Sequence, residues 1–491
     1  MSTSDVHGGQ RVRIDAEQAS TDRRWGLASM ALILLAAVVL QWGTQVTSRG
    51  PTFDERWITR PIAELIRHGW SVETAIDFEE AKGPAMVWPY AAIGGWMVED
   101  PWEITPEDAP AGGSGGNQAD AWDPPVPGGP SPAPPNMLAS LRLISVLCLV
   151  LSMVPLLMLA IGCGVRGPPL LLVTWLLIIL PYQAVTSQLV MGEPSFVLLA
   201  ITLVAVVGWG AGSGHSTKHP IAGPIWYGVL LAVLLHSRIH AVALVPAVCF
   251  VMWQRESWRS WPWWIASLIA CLLRLPLWSR WGGLVSPEFQ NLHGLGLRLE
   301  SVTYLGAAMA PLLGVFLLAW LWRRKRHLWY LPVGGMILGL LFGLIASPDL
   351  TPMGALDLSI KQDHYAGLVS TLARQAGSVV GGAWWPMMML AVIGIGGLGA
   401  LGAFALARPA QQIHGLIVRL QWLTLCFGVL LYALTRGSVF DRYLLVWAFM
   451  LPVVWVVVLP RWLCALQAMA LAIIAWMQIC LLYTSDAADE G

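Results

Sequence analysis

Charge is what this sequence has least of. Asp, Glu, Lys and Arg make up 12% of its 491 residues and hydrophobic residues 56%, whereas soluble globular domains carry about 25% charged residues. An ordinary soluble domain is excluded, and an integral membrane protein is implied. The formal net charge is zero, so the basic surface that a nucleic-acid partner requires is missing. Cysteines are few: all seven lie in apolar runs, at no metal-ligand spacing, which leaves no disulfide framework and reads as ordinary core packing. No internal repeat stands out. The first apolar run is too long for a cleaved signal and lacks a small-residue cleavage site.

What is present is a succession of apolar runs long enough to cross about 30 Å of hydrocarbon, each of which must be helical to satisfy its own backbone. Thirteen helices are expected, over 25–47, 138–163, 168–183, 188–210, 221–237, 239–253, 261–280, 303–321, 328–347, 384–407, 413–434, 442–459 and 462–483. The fold class is therefore an all-α polytopic membrane protein: a cytoplasmic tail over 1–24, a transmembrane domain over 25–483 and a short tail over 484–491 that reads as truncated or misread. The 28 tryptophans suit interface belts. Trp253, Trp258, Trp261, Trp263, Trp264, Trp278 and Trp281 bracket one helix in that manner.

Lys and Arg in short loops set the orientation. Arg11, Arg13, Arg23 and Arg24 precede the first helix, and Arg166, Lys218, Arg255, Arg259, Arg323 to Arg326, Arg408 and Arg461 fall on alternate connections. One side collects them all, which makes the N-terminus cytoplasmic. The first large loop, 48–137, is then outside, and a multi-pass protein of a bacterial inner membrane with its site on the periplasmic face is expected. Fourteen of the 29 carboxylates lie between Arg49 and Asp123, so the chemistry is expected in this loop. Its 101–136 segment, rich in Pro and Gly, cannot bury a core and reads as a flexible insertion.

Candidate residues stand beside plainer readings. Asp54-Glu55 precedes an amphipathic stretch (Ile58, Ile62, Leu65, Ile66), and capping a helix start is as good an account as general-base catalysis. Lys82 sits before the helix-breaking Gly83-Pro84, either snorkelling to the interface or gripping a phosphate. Arg142 interrupts the start of the second run, with the same two readings. Glu193 opens the fourth helix, ordinary start chemistry, yet an ionisable group at that depth is a functional candidate. His236, Arg238 and His240 read slightly better as a tight outer hairpin than as a substrate contact, and the two histidines lack a third metal ligand. Lys361, Asp363, His364 and Tyr365 occupy a long outer loop, functional or disordered. Asp441, Arg442 and Tyr443 open the twelfth helix, where an Asp-Arg pair can merely neutralise itself.

Taken together, Asp54-Glu55, Gly69-Trp70, Lys82-Gly83-Pro84-Ala85, Arg142 and the late Asp441 to Leu445 run resemble the GT-C class of polytopic glycosyltransferases, which use polyprenyl-phosphate sugars as donors. Protein O-mannosyltransferases and the lipid A aminoarabinose transferase belong to that class. Lys-Gly-Pro stands where the class has Lys-Pro-Pro, Glu193 stands for a usual Asp, and the 101–136 insertion is foreign to it. The resemblance implies transfer from a polyprenyl-phosphate sugar to a hydroxyl of a lipid, glycan or protein acceptor. Asp54 and Glu55 would be catalytic, with Asp54 the base; Lys82, Arg142, Glu193, Arg238, Arg442 and Tyr443 would bind substrate. One base and no placed nucleophile imply inversion. No cofactor is required, although Glu55, Glu79 or Glu80 could hold a divalent metal. Two other classes stand beside this one: a lipid-linked glycan polymerase or ligase, and a transporter or flippase, which should show internal repeats and broken helices.

Overall fold

The computed structural model describes residues 21, 24–38, 62, 65, 84–97, 135–180, 183–187, 190, 192–212, 221–283, 296–297, 299–323, 328–345, 384–435 and 444–489. Their regular structure is helical. In chain order the helices are α1 (Arg24–Val38), α2 (Pro84–Met97), α3 (Pro135–Gly162), α4 (Pro169–Ile178), α5 (Gln183–Thr186), α6 (Glu193–Gly212), α7 (Ala222–Ser237), α8 (Leu244–Glu256), α9 (Trp261–Trp281), α10 (Leu299–Trp322), α11 (Tyr330–Ile345), α12 (Trp384–Leu406), α13 (Ile413–Ala433), α14 (Leu445–Ala448), α15 (Leu451–Val458) and α16 (Arg461–Asp489). Two short 3-10 turns, Ile239–Ala243 and Ser257–Ser260, flank α8. Among the described residues six helical stretches are long and apolar enough to cross a membrane, and five shorter apolar helices accompany them. The protein is a multi-pass membrane protein of all-α class.

Arginines divide the two ends of the helices. Arg166 donates to Ile161 O at 2.8 Å, Arg323 to Val458 O at 2.7 Å and Arg408 to Phe404 O at 2.9 Å. Arg255 donates to Gln411 O at 2.7 Å, and Arg419 to Ala405 O at 3.0 Å. Most of these carbonyls lie at helix C-termini, where the last turn has no internal donor and cations are favoured. The basic connections singled out by the charge rule, those of Arg255, Arg323 and Arg408, thus meet at one end, with Arg323 and Arg408 both over the Phe404 ring.

Between the ends, close packing depends on small residues. Along α11, Gly335, Gly339 and Gly343 are four apart and buried, and a Cβ on Gly339 would come within 2.8 Å of Val392 Cα of α12. This is the close backbone approach on which membrane helices rely in the absence of a hydrophobic drive between them.

Three expectations change. The single helix over 442–459 is broken, α14 ending at Ala448 and α15 starting at Leu451 with Pro452 in its first turn. Proline lacks an N–H and clashes with the carbonyl four residues back. At the break Gln421 of α13 engages two backbone groups: its Nε2 donates to Trp447 O at 2.7 Å, and Met450 N donates to its Oε1 at 3.2 Å. The tryptophans around α9 are not all anchors either. Trp258, Trp261 and Trp264 are exposed, but Trp263 is buried against Tyr227 and Trp281 is buried under Arg274. The last helix also continues to Asp489, through most of the expected tail.

Candidate active site

The end opposite the arginine-capped one holds the buried charges. Arg142, Glu193 and Arg238 are 1%, 0% and 5% exposed, far below what such side chains show unless they are partnered. Arg142 lies in the third turn of α3, Glu193 is the first residue of α6, and Arg238 follows the last residue of α7. Alternation of up and down helices brings these three points to one level.

Glu193 and Arg238 form an ion pair, with Arg238 Nη2 2.5 Å from Glu193 Oε1. Glu193 is in the first helical turn, where free N–H groups favour a carboxylate. Arg238 sits between helices in extended conformation (φ −149°, ψ 140°), its amide capping α7 through Leu234 O at 2.9 Å. The hairpin expected at His236 to His240 is present: the chain reverses there, and the reversal aims the Arg238 guanidinium at Glu193, the start of the fourth helix expected from the sequence.

α2 closes over this end. Its Tyr90 hydroxyl pairs with Ser145 Oγ at 2.8 Å, one turn from Arg142. Its Met86 lies directly on Gly192, leaving no room for a Cβ there, beside Glu193. It also packs along α7. Met86 stands four residues after Lys82 in the sequence. Thus α2 joins the segment that follows the Lys82 motif to all three helices that carry the buried charges.

Asp54, Glu55, Glu79, Glu80, Lys82, Lys361, Asp363, His364, Tyr365, Asp441, Arg442 and Tyr443 lie outside the described residues, as do Gly69, Trp70 and the insertion through residue 134. Of the amphipathic stretch after Asp54, Ile62 and Leu65 are described; both are helical and buried. Among the described residues no group of three His, Cys, Asp or Glu could hold a metal. His240, weighed as half of a metal pair with His236, bonds instead to the Tyr432 hydroxyl.

Arg274 was missed in the sequence. It is 2% exposed and lies seven residues before the end of α9, the helix that packs along α7. Its guanidinium sits 4.9 Å from the Trp281 ring centroid, and neither its Nε nor its Nη1 has a hydrogen-bond partner. A cation enclosed by protein in an apolar helix, with two donors uncommitted, is costly and is a candidate functional group. The signal was available: Arg274 is the one charge between Trp261 and Ser279.

No family model matches the sequence, and no curated protein matches it. Two solved structures are similar in overall course. One is the crystal structure of ArnT from Cupriavidus metallidurans bound to undecaprenyl phosphate, with 13% identity, 90% of this chain and 77% of that chain covered, and a TM-score of 0.37. The other is the oligosaccharyltransferase of Archaeoglobus fulgidus tethered with an acceptor peptide containing the NVT sequon, with 12% identity, 84% of this chain and 56% of that chain covered, and a TM-score of 0.34. At these scores the likeness carries no residue correspondence.

Proposed function

We propose that the protein is an inverting membrane glycosyltransferase of the GT-C type, moving a sugar from a polyprenyl phosphate to an acceptor hydroxyl at the outer face. The observation that carries this reading is the meeting of Arg142, Glu193 and Arg238, far apart in sequence, at one buried level under α2. Those are positions at which the short motifs suggested substrate-binding charge.

In this reaction the acceptor oxygen attacks the anomeric carbon while the bond from that carbon to the phosphate oxygen breaks, and polyprenyl phosphate leaves with the electron pair. Asp54 takes the acceptor proton. Phosphate is a weakly basic leaving group, so no general acid is needed; cations that meet its growing charge supply the rest. Lys82 and Arg442 are two of them in this reading. Arg274 is a third, because its uncommitted N–H groups are buried where an anionic headgroup would pair with them. The Glu193–Arg238 pair orients rather than reacts. A divalent metal at Glu55, Glu79 or Glu80 is not needed for this chemistry.

A transporter gains one observation, the break between α14 and α15, since broken helices build ion sites. That break is already satisfied by Gln421, which leaves its Trp447 carbonyl and Met450 amide engaged. The transferase is preferred.

The test is transfer by the purified protein in lipid, offered a panel of radiolabelled polyprenyl-phosphate sugars with membrane lipid, glycan and protein acceptors. Label should reach one acceptor class from a polyprenyl phosphate. Equal use of a soluble nucleotide sugar would overturn the proposal.

A further inference from the structure

Arg238 is held by no helix of its own. It lies between α7 and the 3-10 turn Ile239–Ala243, and such turns hold their shape less firmly than α-helices because their hydrogen bonds are poorly aligned. What fixes the turn therefore fixes the aim of the guanidinium.

The fixing group is His240. It is 9% exposed, and its ring packs against both Tyr432 and Trp447, at centroid separations of 5.3 Å and 5.7 Å. Those two rings meet edge to face at 5.3 Å and 68°, the arrangement aromatic quadrupoles favour. His240 Nε2 is hydrogen-bonded to the Tyr432 hydroxyl, and the Trp447 indole N–H donates to the His240 carbonyl at 3.2 Å. Side chain and backbone are gripped at once, by residues 192 and 207 positions away. The grip is itself braced. Gly428 of α13 leaves the space into which the Trp447 ring fits, since a Cβ there would come within 2.4 Å of the ring, and Gln421 holds the Trp447 carbonyl at 2.7 Å.

We propose that His240, Tyr432 and Trp447 are positioning residues that set Arg238 against Glu193, so that the late helices α13 and α14 hold the early half of the site in its working geometry. The role in catalysis rests on the transferase reading. The positioning itself does not.

Tyr432→Phe removes one oxygen and keeps the ring stack. Loss of one buried hydrogen bond should raise hydrogen–deuterium exchange of the amides from 238 to 243 by about tenfold, with α8 and the arginine-capped end unchanged. Trp447→Phe, which removes the indole donor, should act on the same amides. Glu193→Gln should loosen them too, and Tyr432→Phe added to Glu193→Gln should bring little more, because coupled changes do not add. In the transfer assay Tyr432→Phe should lower kcat by about tenfold, with no larger fall in melting temperature than one lost buried hydrogen bond accounts for, and again add little to Glu193→Gln.

Unchanged exchange at 238 to 243 in Tyr432→Phe overturns the proposal, and so do additive effects of the two substitutions, which would mark the triad as an ordinary core contact. If the wild-type protein transfers no sugar from any polyprenyl phosphate, the transferase reading falls while the exchange cycle still decides the positioning.

Discussion

Glu193→Gln replaces a carboxylate by an amide of the same size in contact with Arg238. Both side chains are buried, at 0% and 5% exposure, with 2.5 Å between Nη2 and Oε1. The amide still accepts a hydrogen bond but no longer balances the guanidinium. Breaking one side of a buried pair costs about 3 to 5 kcal/mol, because the surviving charge is left uncompensated. Replacing both partners by neutral side chains costs far less, since their desolvation is relieved together.

The signature is therefore a cycle. Glu193→Gln and Arg238→Met should each lower stability by about 3 to 5 kcal/mol, and the double variant should recover most of that loss. Unfolding would be followed by denaturant titration in a fixed detergent, with melting temperature at one scan rate as a check. Transfer should follow a different course: if the pair orients the site, the double variant regains stability and stays inactive. A cost below about 1 kcal/mol for Glu193→Gln, the range of exposed pairs, would refute the buried-pair reasoning. A double variant as active as wild type would refute its functional half.

Asp54→Asn should lower transfer by about a hundred- to ten-thousandfold, the usual worth of a general base, with donor binding retained; turnover at the wild-type rate in a steady-state assay would dismiss the base. Arg274→Met should move stability and function in opposite directions. Removing a buried guanidinium with two unpartnered donors should raise the melting temperature, whereas the apparent donor affinity should fall about tenfold or more, as one charge-assisted contact is lost; a variant that melts lower and binds donor normally would make Arg274 structural. Gln421→Leu should destabilise by about 1 to 3 kcal/mol, because Trp447 O and Met450 N both lose their partner, and an unchanged denaturation midpoint would show that the break is satisfied in another way.

Much of the fold was legible in the sequence because hydrocarbon leaves few choices. Apolar runs had to be helices, and the described parts of the runs read as spans are helical, six stretches among them being long and apolar enough to cross a membrane. The common side of three basic connections was legible too, since Arg255, Arg323 and Arg408 meet at one end, Arg323 and Arg408 through bonds to helix C-terminal carbonyls and Arg255 through Gln411 O in the turn before α13. Where reading by hydropathy failed, a single residue decided. Pro452 splits the run over 442–459, but an apolar window cannot register a break whose polar groups are paid by Gln421 from another helix. Trp263 counts as an anchor in sequence and proves to be core.

The site was legible only at its margins. Arg142, Glu193 and Arg238 were singled out because each charge interrupts or borders an apolar run, and the fold gathers them. Their pairing was not visible, since Glu193 and Arg238 are 45 residues apart and no local rule links a helix start to the turn after the next helix. The His240 grip was still less visible: its partners lie on α13 and α14, and in sequence each is one more aromatic in a chain rich in them. Arg274 was missed for another reason. A lone arginine inside an apolar run invites the snorkelling explanation, and only burial to 2% exposure with unpartnered donors separates a cation reaching for the interface from one enclosed by protein. Charge that is buried and uncommitted is the feature that a sequence cannot display, and it is the one on which the donor-binding prediction for Arg274 depends.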